Sequence, residues 1–208
     1  MSITSFYERR IFPWLNDKLT NDPDLQRVRR EVLAAARGRV IEIGFGSGAN
    51  LPYYPPTVRA VVGIEPNGGM LDRWRLRLSV APMPVRIVVG VAEALPFANR
   101  TFDTAVSTLT LCSVADPGGT LAELRRVLKD DGALMVIEHG LSLDERVARW
   151  QHRLDGIQGM VACGCHLVRP IPELIKNQQF AVDRLQSFYA PRIPRTHGWI
   201  TSGTAIKC

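Results

Sequence analysis

The fold class follows from one stretch of sequence, Arg39-Val40-Ile41-Glu42-Ile43-Gly44-Phe45-Gly46-Ser47-Gly48. A short apolar run of strand length ends in a carboxylate and is followed by three glycines at alternate positions. Because glycine has no Cβ, the backbone of such a loop can approach a ligand closely. A second apolar run, residues 60–64, ends in Glu65, and a carboxylate at the tip of the next strand can accept hydrogen bonds from both hydroxyls of a ribose. The stretch predicts a nucleoside site at the carboxyl edge of an α/β sheet.

Further apolar runs along the chain predict the rest of this sheet. Nearly continuous apolar segments are typical of parallel strands that are covered on both faces, and helical patterns at 70–78 and 120–129 separate them. Asp130-Asp131-Gly132 is expected to end the second of these helices. The alternation predicts a doubly wound, Rossmann-like α/β fold. The predicted strands are residues 40–43, 60–65, 85–90, 102–107 and 133–138.

The two flanks of the chain have different patterns. Residues 3–37 predict two helices, the second capped by Asp22 and begun by Pro23. After His139 the sequence predicts a helix over 143–160, a short helix over 172–177, and two β segments, 180–189 and 199–207, that pair as an antiparallel hairpin at one sheet edge. We expect a single domain over 1–208, with a helical lid (1–37), a cofactor-binding core (38–140), and a substrate-side helix with the C-terminal hairpin (141–208).

The composition restricts the class of protein. The chain has 208 residues, 46% of them hydrophobic, which is enough for one full core. No run of about 18 apolar residues predicts a transmembrane helix, and the first ten residues lack the apolar centre of a secretory signal. The four cysteines show no disulfide-framework pattern, which fits a reducing compartment. We therefore expect a soluble, cytoplasmic protein.

The net charge of +6 lies mostly in the flanks, since residues 141–208 carry nine basic and five acidic side chains. An acidic lipid, an anionic substrate or RNA could use this surplus. The simpler interpretation is an arginine-rich surface in water.

The glycine loop by itself does not determine which cofactor binds. Gly44-x-Gly46-x-x-Ala49 also fits the dinucleotide fingerprint, so an NAD-dependent oxidoreductase is one alternative. However, Glu42 would repel a pyrophosphate held at the start of the next helix, whereas it would attract a ligand with an ammonium group. The prolines in residues 50–56 also leave little helix whose dipole could bind phosphates.

Together with Glu65, Ala92-Glu93-x-Leu95-Pro96-Phe97 and Phe102-Asp103, this loop resembles the class I S-adenosylmethionine-dependent methyltransferases over about residues 38–140. More narrowly, segments 48–55, 108–114 and 137–139, with 164–169, resemble the methyltransferase-like 7 group and its bacterial relatives. The resemblance implies S-adenosylmethionine as cofactor, S-adenosylhomocysteine as product, and methylation of thiols or sulfide. A related bacterial branch methylates phospholipid headgroups, so a phospholipid, quinol or other lipophilic acceptor is the alternative.

The resemblance also implies roles for individual residues. Glu42 and Gly44 would face the methionine ammonium and backbone, and Glu65 would hold the ribose hydroxyls. The amide of Ala92 would donate to the adenine ring, although Val91 stands where many relatives have an aspartate that accepts from the adenine amino group. The other residues expected at the cofactor are Gly46, Gly48, Asn50, Pro66, Val91, Glu93 and Thr108.

Methyl transfer to sulfur requires a thiolate held in line with the sulfonium methyl. His139, at the end of the last parallel strand, is the best candidate for the base because its ordinary pKa is about 6.5; a structural histidine is the simpler alternative. Asp116 and His166 are weaker candidates. Cys112, Cys165 and His166 are candidates for the substrate pocket. Because Cys163-x-Cys165-His166 lacks the usual spacing of zinc ligands, we predict no metal site.

The expected partner is a small-molecule methyl acceptor. Nucleic acid is not expected, because the sequence has neither an Asn/Asp-Pro-Pro-Tyr motif nor an aromatic stacking platform. The amphipathic segment 6–18 predicts either a lid over the cofactor or an interfacial helix that contacts a membrane peripherally. The sequence leaves the oligomeric state open, and a protein that binds the cofactor without consuming it is a further alternative.

Overall fold

The computed structural model describes residues 22–66 and 77–208. The first predicted helix, with the segment expected to be a lid or to contact a membrane, lies outside the described residues, as does the predicted helix over 70–78 apart from its last two residues. Among the described residues no helix is both long enough and apolar enough to cross a membrane.

Seven strands form one sheet in the described part of the chain, and α-helices and a short 3₁₀ turn, Leu51–Tyr53, accompany them. The strands are β1 (Gly38–Ile43), β2 (Val58–Glu65), β3 (Val85–Val89), β4 (Phe102–Thr108), β5 (Leu128–His139), β6 (Phe180–Tyr189) and β7 (Trp199–Lys207). The helices are α1 (Pro23–Leu33), α2 (Pro117–Val127), α3 (Glu145–Val161) and α4 (Ile171–Asn177).

The order of strands across the sheet is β3-β2-β1-β4-β5-β7-β6. Strands β1 to β5 are parallel, whereas β7 runs antiparallel to both β5 and β6. The doubly wound, mostly parallel sheet with an antiparallel hairpin at one edge is therefore confirmed. Since β1 lies between β2 and β4, the strand order reverses at β1. Open α/β sheets bind ligands at the carboxyl ends of the strands that flank such a reversal.

Both faces of the central strands β1 and β4 are buried, as their continuous apolar runs predict. Ile41 and Ile43 share one core cluster with Leu121 and Leu124 of α2. On the other face, the core cluster of Val40 includes Leu33 at the end of α1. Burial on both sides gives β1 a fixed orientation, so the loop that follows it starts from a rigid strand.

Helix α2 differs from the prediction at both ends. It begins at Pro117, where the carboxylate of Asp116 caps it by accepting from the amide of Gly119 at 3.0 Å. It ends at Val127, because Leu128 already has extended backbone and begins β5. The prediction that Asp130-Asp131-Gly132 ends the helix is therefore wrong; this segment lies inside β5, where the register with β4 shifts. Asp22 and Pro23 cap and begin α1 as predicted.

Candidate functional site

The glycine loop leaves the carboxyl end of β1 with an unusual backbone. Gly44, Gly46 and Gly48 have φ values of 59°, 55° and 75°, a left-handed region that other residues seldom adopt. At Gly44 a side chain is also excluded sterically, since a Cβ there would overlap the side chain of Thr110. Both conformation and space therefore require glycine at the first position of the loop.

Glu65 connects this loop to the neighbouring strand. It is the last residue of β2, and its Oε2 accepts a hydrogen bond from the amide of Gly46 at 2.9 Å. Because β1 and β2 are adjacent and parallel, the tip of one strand and the loop of the other meet at the same edge. The structure thus brings Glu65 and the glycine loop together, as the sequence predicts.

Glu42 lies at the centre of a buried polar network at the end of β1. Its Oε1 accepts from Nδ2 of Asn50 at 3.0 Å, and its Oε2 accepts from the hydroxyl of Tyr54 at 2.6 Å. Nδ2 of Asn50 also donates to Oγ1 of Thr108 at 3.0 Å, and Oδ1 of Asn50 accepts from Nε of Arg29 at 3.0 Å. Asn50 is therefore fixed by three other side chains, and it orients the carboxylate of Glu42.

The burial of Glu42 changes its ionisation. The residue is only 2% exposed, and burial raises the pKa of its carboxyl to about 7. The hydrogen bonds from Tyr54 and Asn50 and the positive charge of Arg29 act in the opposite direction. A carboxyl with this pKa is partly protonated at neutral pH, and a cation bound beside it would favour the ionised form.

Arg29 is a residue of this site that the sequence analysis missed. It belongs to α1, yet it is only 2% exposed and lies against the network of Glu42. A signal was present in the sequence. Arg29 is four residues after Leu25 and four before Leu33, both of which are buried, so it shares the apolar face of its helix. A buried arginine on such a face requires a partner.

These residues line a cleft that is open to solvent at the carboxyl edge of the sheet. Its lining combines a carboxylate, a guanidinium and a glycine loop, which fits S-adenosylmethionine: its amino acid part carries one ammonium and one carboxylate, and the loop permits close approach. Of the expected cofactor residues, Glu42, Gly44, Gly46, Asn50 and Thr108 line it. The lining is completed by Arg29, Phe45, Ser47, Ala49 and Leu109.

The other expected cofactor residues lie outside the lining that the described residues form. Gly48 and Glu65 are next to it, through the loop and the bond to Gly46. The remaining ones, Pro66 and the segment 91–93, follow β2 and β3. Val91 is exposed and Ala92 is buried, while Oε1 of Glu93 accepts from the amides of Ala115 and Asp116 at 2.8 and 3.3 Å. Glu93 therefore braces the loop before α2, a contact that the sequence did not predict.

A second buried carboxylate, Glu138, shapes the loop after β4. It accepts from the hydroxyl of Ser107 at 2.6 Å and from the amides of Thr110 and Leu111 at 3.0 and 3.1 Å. Burial raises the pKa of Glu138 although these three donors lower it. By holding consecutive amides, Glu138 fixes the position of Cys112, the next residue in the loop.

His139 contacts one of the predicted pocket residues, Cys165, which in turn contacts a second, Cys112. Its Nε2 lies 2.9 Å from Sγ of Cys165, and that sulfur lies 3.8 Å from Sγ of Cys112. Burial lowers the pKa of His139, but the bond to Cys165 and the charge of Glu138 outweigh it and raise the pKa above its ordinary value. The contact with Cys112 and burial raise the pKa of the Cys165 thiol well above its usual range.

The side chains of the two weaker candidates for the base, His166 and Asp116, have other partners than this cluster. Nδ1 of His166 lies 2.8 Å from Oδ2 of Asp155, and the backbone amide of His166 donates to the carbonyl of Cys112 at 2.8 Å, which ties the two loops together at the sheet edge. Asp116 serves as the cap of α2, so its carboxylate is occupied there. Of the residues expected in the substrate pocket, the structure therefore brings together Cys112 and Cys165, whereas the side chain of His166 points to Asp155.

Comparison with known proteins identifies similar chains. The model of the family described as "Methyltransferase domain" matches residues 41–136. The chain is 30% identical to human thiol S-methyltransferase TMT1B, over 94% of this chain and 83% of that protein. For rat TMT1B the identity is 31%, and the match spans 71% of this chain but only 62% of the relative. A phosphatidylethanolamine N-methyltransferase of Cereibacter sphaeroides is 35% identical over 50% of this chain and 52% of its own length.

Solved structures share the fold at lower identity. A SAM-dependent methyltransferase of Thermotoga maritima has a TM-score of 0.67 at 20% identity, covering 98% of each chain. The cyclase SpnF has a TM-score of 0.71 at 18% identity, covering 99% of this chain and 94% of its own. Because a cyclase shares the architecture, the fold alone does not specify the reaction.

Proposed function

Because the chain belongs to the class I S-adenosylmethionine-dependent methyltransferases, we propose that it transfers the methyl group of this cofactor to the sulfur of a small thiol or of sulfide. The observation that carries the choice of acceptor is the buried contact of His139 with Cys165, whose sulfur in turn contacts that of Cys112. Cys112 follows the carboxyl end of β4, the strand whose last residue, Thr108, lines the cofactor cavity. The similarity to TMT1B supports the same acceptor class.

The cofactor is proposed to bind with its amino acid part between Glu42 and Arg29. The carboxylate of Glu42 would pair with the α-ammonium group, and the guanidinium of Arg29 would pair with the α-carboxylate. Such charge-assisted hydrogen bonds are about twice as strong as neutral ones. Glu65 would accept from the ribose hydroxyls, and the amide of Ala92 would donate to the adenine ring. These roles assign one end of the cofactor to β1 and the other to the ends of β2 and β3.

The chemistry requires few groups from the protein. The bond between the methyl carbon and the sulfonium sulfur breaks, its electron pair stays on that sulfur, and the acceptor sulfur forms the new bond in line with it. The sulfonium is already a strong electrophile, so the protein must position the acceptor and remove its proton. We propose that the acceptor thiol is ionised at the Cys112–His139–Cys165 cluster, where His139 is the candidate base.

A lipophilic acceptor is the second candidate, and helix α3 favours it. Large apolar side chains are exposed on or beside this helix, which leads into the loop of Cys165. A surface of this kind can contact a lipid or an oily substrate. The Cereibacter sphaeroides relative is a phosphatidylethanolamine N-methyltransferase, which supports the same alternative. The exposed residues are Leu143, Trp150, Ile157, Met160 and Val161.

The release of S-adenosylhomocysteine distinguishes these acceptors. The assay compares sulfide, alkyl thiols and aryl thiols with vesicles that contain phosphatidylethanolamine and with a quinol. Turnover with a thiol supports the proposal. Turnover with the lipid or the quinol, and with no thiol, would support the second candidate, a lipophilic acceptor. Calorimetric titration with S-adenosylmethionine and with NAD separates both from an oxidoreductase, and tight cofactor binding without turnover of any acceptor would indicate a non-catalytic protein.

A further inference from the structure

Cys112, His139 and Cys165 form a compact cluster of soft ligand atoms. They come from the loop after β4, the end of β5 and the loop after α3, and they are 2%, 9% and 9% exposed. Their ligand atoms all lie within 4.8 Å of one another. Two thiols and one imidazole are ligands that favour zinc over magnesium or calcium. The sequence predicts no metal site, because Cys163-x-Cys165-His166 lacks the usual spacing of zinc ligands, and it does not connect Cys112, His139 and Cys165.

The spacing of the two sulfurs already suits a tetrahedral ion. With zinc–sulfur bonds of about 2.3 Å, two sulfurs on one ion lie about 3.8 Å apart, and the observed separation of Cys112 and Cys165 is 3.8 Å. A sulfur and a nitrogen on the same ion lie about 3.6 Å apart. His139 and Cys165 are 2.9 Å apart, so the imidazole would have to withdraw by about 0.7 Å, which a rotation of the ring can supply.

The polar groups of the cluster are incompletely satisfied by the described residues. Nδ1 of His139 is buried and has no hydrogen-bond partner among them. The two thiols contact each other, His139 and the hydroxyl of Ser113, the last at 3.5 Å. Sulfur forms only weak hydrogen bonds, and leaving a buried polar group unsatisfied is costly. A bound ion would give the two sulfurs and Nε2 of His139, the ring nitrogen that faces Cys165, a strong common partner, whereas Nδ1 would stay outside the coordination.

From this geometry we propose that Cys112, His139 and Cys165 bind a zinc ion, and that its fourth coordination position takes the thiolate of the methyl acceptor. Three protein ligands leave one position open in a tetrahedral ion. The site is at the carboxyl edge where β4 and β5 end, and Thr108 and Leu109, just before Cys112 in the chain, line the cofactor cavity. An acceptor thiol bound to this ion would lie at the same carboxyl edge of the sheet as the cofactor cavity.

This site changes how the acceptor loses its proton. A thiol that coordinates zinc is deprotonated, and its proton passes to the solvent. The zinc-bound sulfur then forms the bond to the methyl carbon while the sulfonium bond breaks, and the neutral thioether dissociates from the ion. In this scheme the metal ionises the acceptor thiol, the step that the proposed function gives to His139, and His139 is a ligand instead. Binding of zinc also displaces the protons of Cys112 and Cys165, so affinity for zinc increases with pH.

The metal content of the purified protein tests the site. We expect about one zinc ion per chain by mass spectrometry after dialysis, and a thiolate-to-metal absorption band after replacement by Co²⁺. Cys112→Ser, Cys165→Ser and His139→Asn should each lose most of the metal. Cys163→Ser and Cys208→Ser serve as matched controls, because both cysteines lie outside the cluster, and they should retain it. Circular dichroism establishes that every variant is folded.

Three results would overturn the zinc site: no metal in the folded wild-type protein even after incubation with Zn²⁺, metal retained by the three cluster variants, or a disulfide between Cys112 and Cys165 in protein purified under reducing conditions. Only the identity of the fourth ligand rests on the proposed function. Removal of zinc by a chelator tests the zinc site and the proposed function separately. Full thiol methylation by zinc-free protein refutes the inference and leaves the function intact. If the protein binds stoichiometric zinc but methylates no thiol, the proposed function is refuted and the zinc site stands.

Discussion

Replacement of Glu42 by glutamine should stabilise the free protein at alkaline pH and weaken its binding of the cofactor. Glutamine has the same shape and can keep both contacts of the carboxylate, since its oxygen can accept from Asn50 and its amide can donate to the hydroxyl of Tyr54. It cannot become negatively charged. The substitution therefore removes the buried charge while it leaves the packing of β1 in place.

The magnitude follows from the pKa of Glu42, which burial raises from 4.5 to about 7. Each pKa unit corresponds to about 1.4 kcal/mol, so the shift corresponds to about 3 kcal/mol. Between pH 4.5 and 7 the folded protein holds the proton of Glu42 more tightly than the unfolded chain. This contribution to stability is complete below pH 4.5 and is lost as the pH rises through 7. The glutamine variant has no such loss.

Urea unfolding of the cofactor-free proteins from pH 5 to 8.5 measures the effect. The free energy of unfolding of Glu42→Gln minus that of wild type should increase by about 2.5 kcal/mol over this range, because a smaller part of the change lies below pH 5. Glu31→Gln, at an exposed position of α1, is the control and should show no such trend. A difference that stays constant with pH would refute the argument that Glu42 is buried with a raised pKa.

Calorimetry at pH 8 tests the second half of this prediction. Loss of a hydrogen bond to a charged group costs about 1.5–3 kcal/mol, so Glu42→Gln should bind S-adenosylmethionine about 10- to 150-fold more weakly. Equal dissociation constants for wild type and variant would mean that Glu42 does not hold the ammonium group.

The remaining predictions concern the ribose, the acceptor and the hairpin. Glu65→Ala should weaken cofactor binding by about 1–3 kcal/mol, because ribose hydroxyls would lose their acceptor; an unchanged dissociation constant in calorimetry would exclude that role. His139→Ala should lower kcat more than cofactor affinity, as expected for a group that acts on the acceptor; a wild-type rate across pH 6–9 would make His139 structural. Gly203→Ala should destabilise the fold by about 2 kcal/mol or more, since Gly203 has a φ of 141° and a Cβ there would overlap the backbone of Arg184. Its control is Gly156→Ala on α3, where a Cβ meets nothing within 4 Å; urea unfolding that gave equal losses for both would contradict the steric argument.

Much of the fold could be predicted because its signals are local. The apolar runs, the glycines at alternate positions and the cap of α1 each depend on residues close together in the chain. The end of α2 was predicted less well. The sequence offered Asp130-Asp131-Gly132 as a stop, but the pairing of Leu128 with Phe102 extends β5 backwards, and such pairing between distant segments has no local signature.

The candidate site was predicted in part for the same reason. Glu42 and the glycines are adjacent in sequence, and Glu65 follows from parallel neighbouring strands. By contrast, Arg29 enters the site from a helix 21 residues before Asn50. Glu93 and Glu138 received structural roles through contacts with loops more than twenty residues away. Side-chain contacts between residues so far apart in the sequence depend on how α1 and the loops pack against the sheet.

The sequence by itself therefore determined the doubly wound class and the place of the cofactor loop, because periodicity and glycine spacing act within a few residues. The tertiary structure alone decided which side chains meet at the sheet edge. Cys112 and Cys165 are 53 positions apart and His139 lies between them, so no spacing rule for metal ligands could connect them. They become neighbours because β4 and β5 are adjacent in the sheet, and because the loop after α3 packs against the carboxyl ends of both strands.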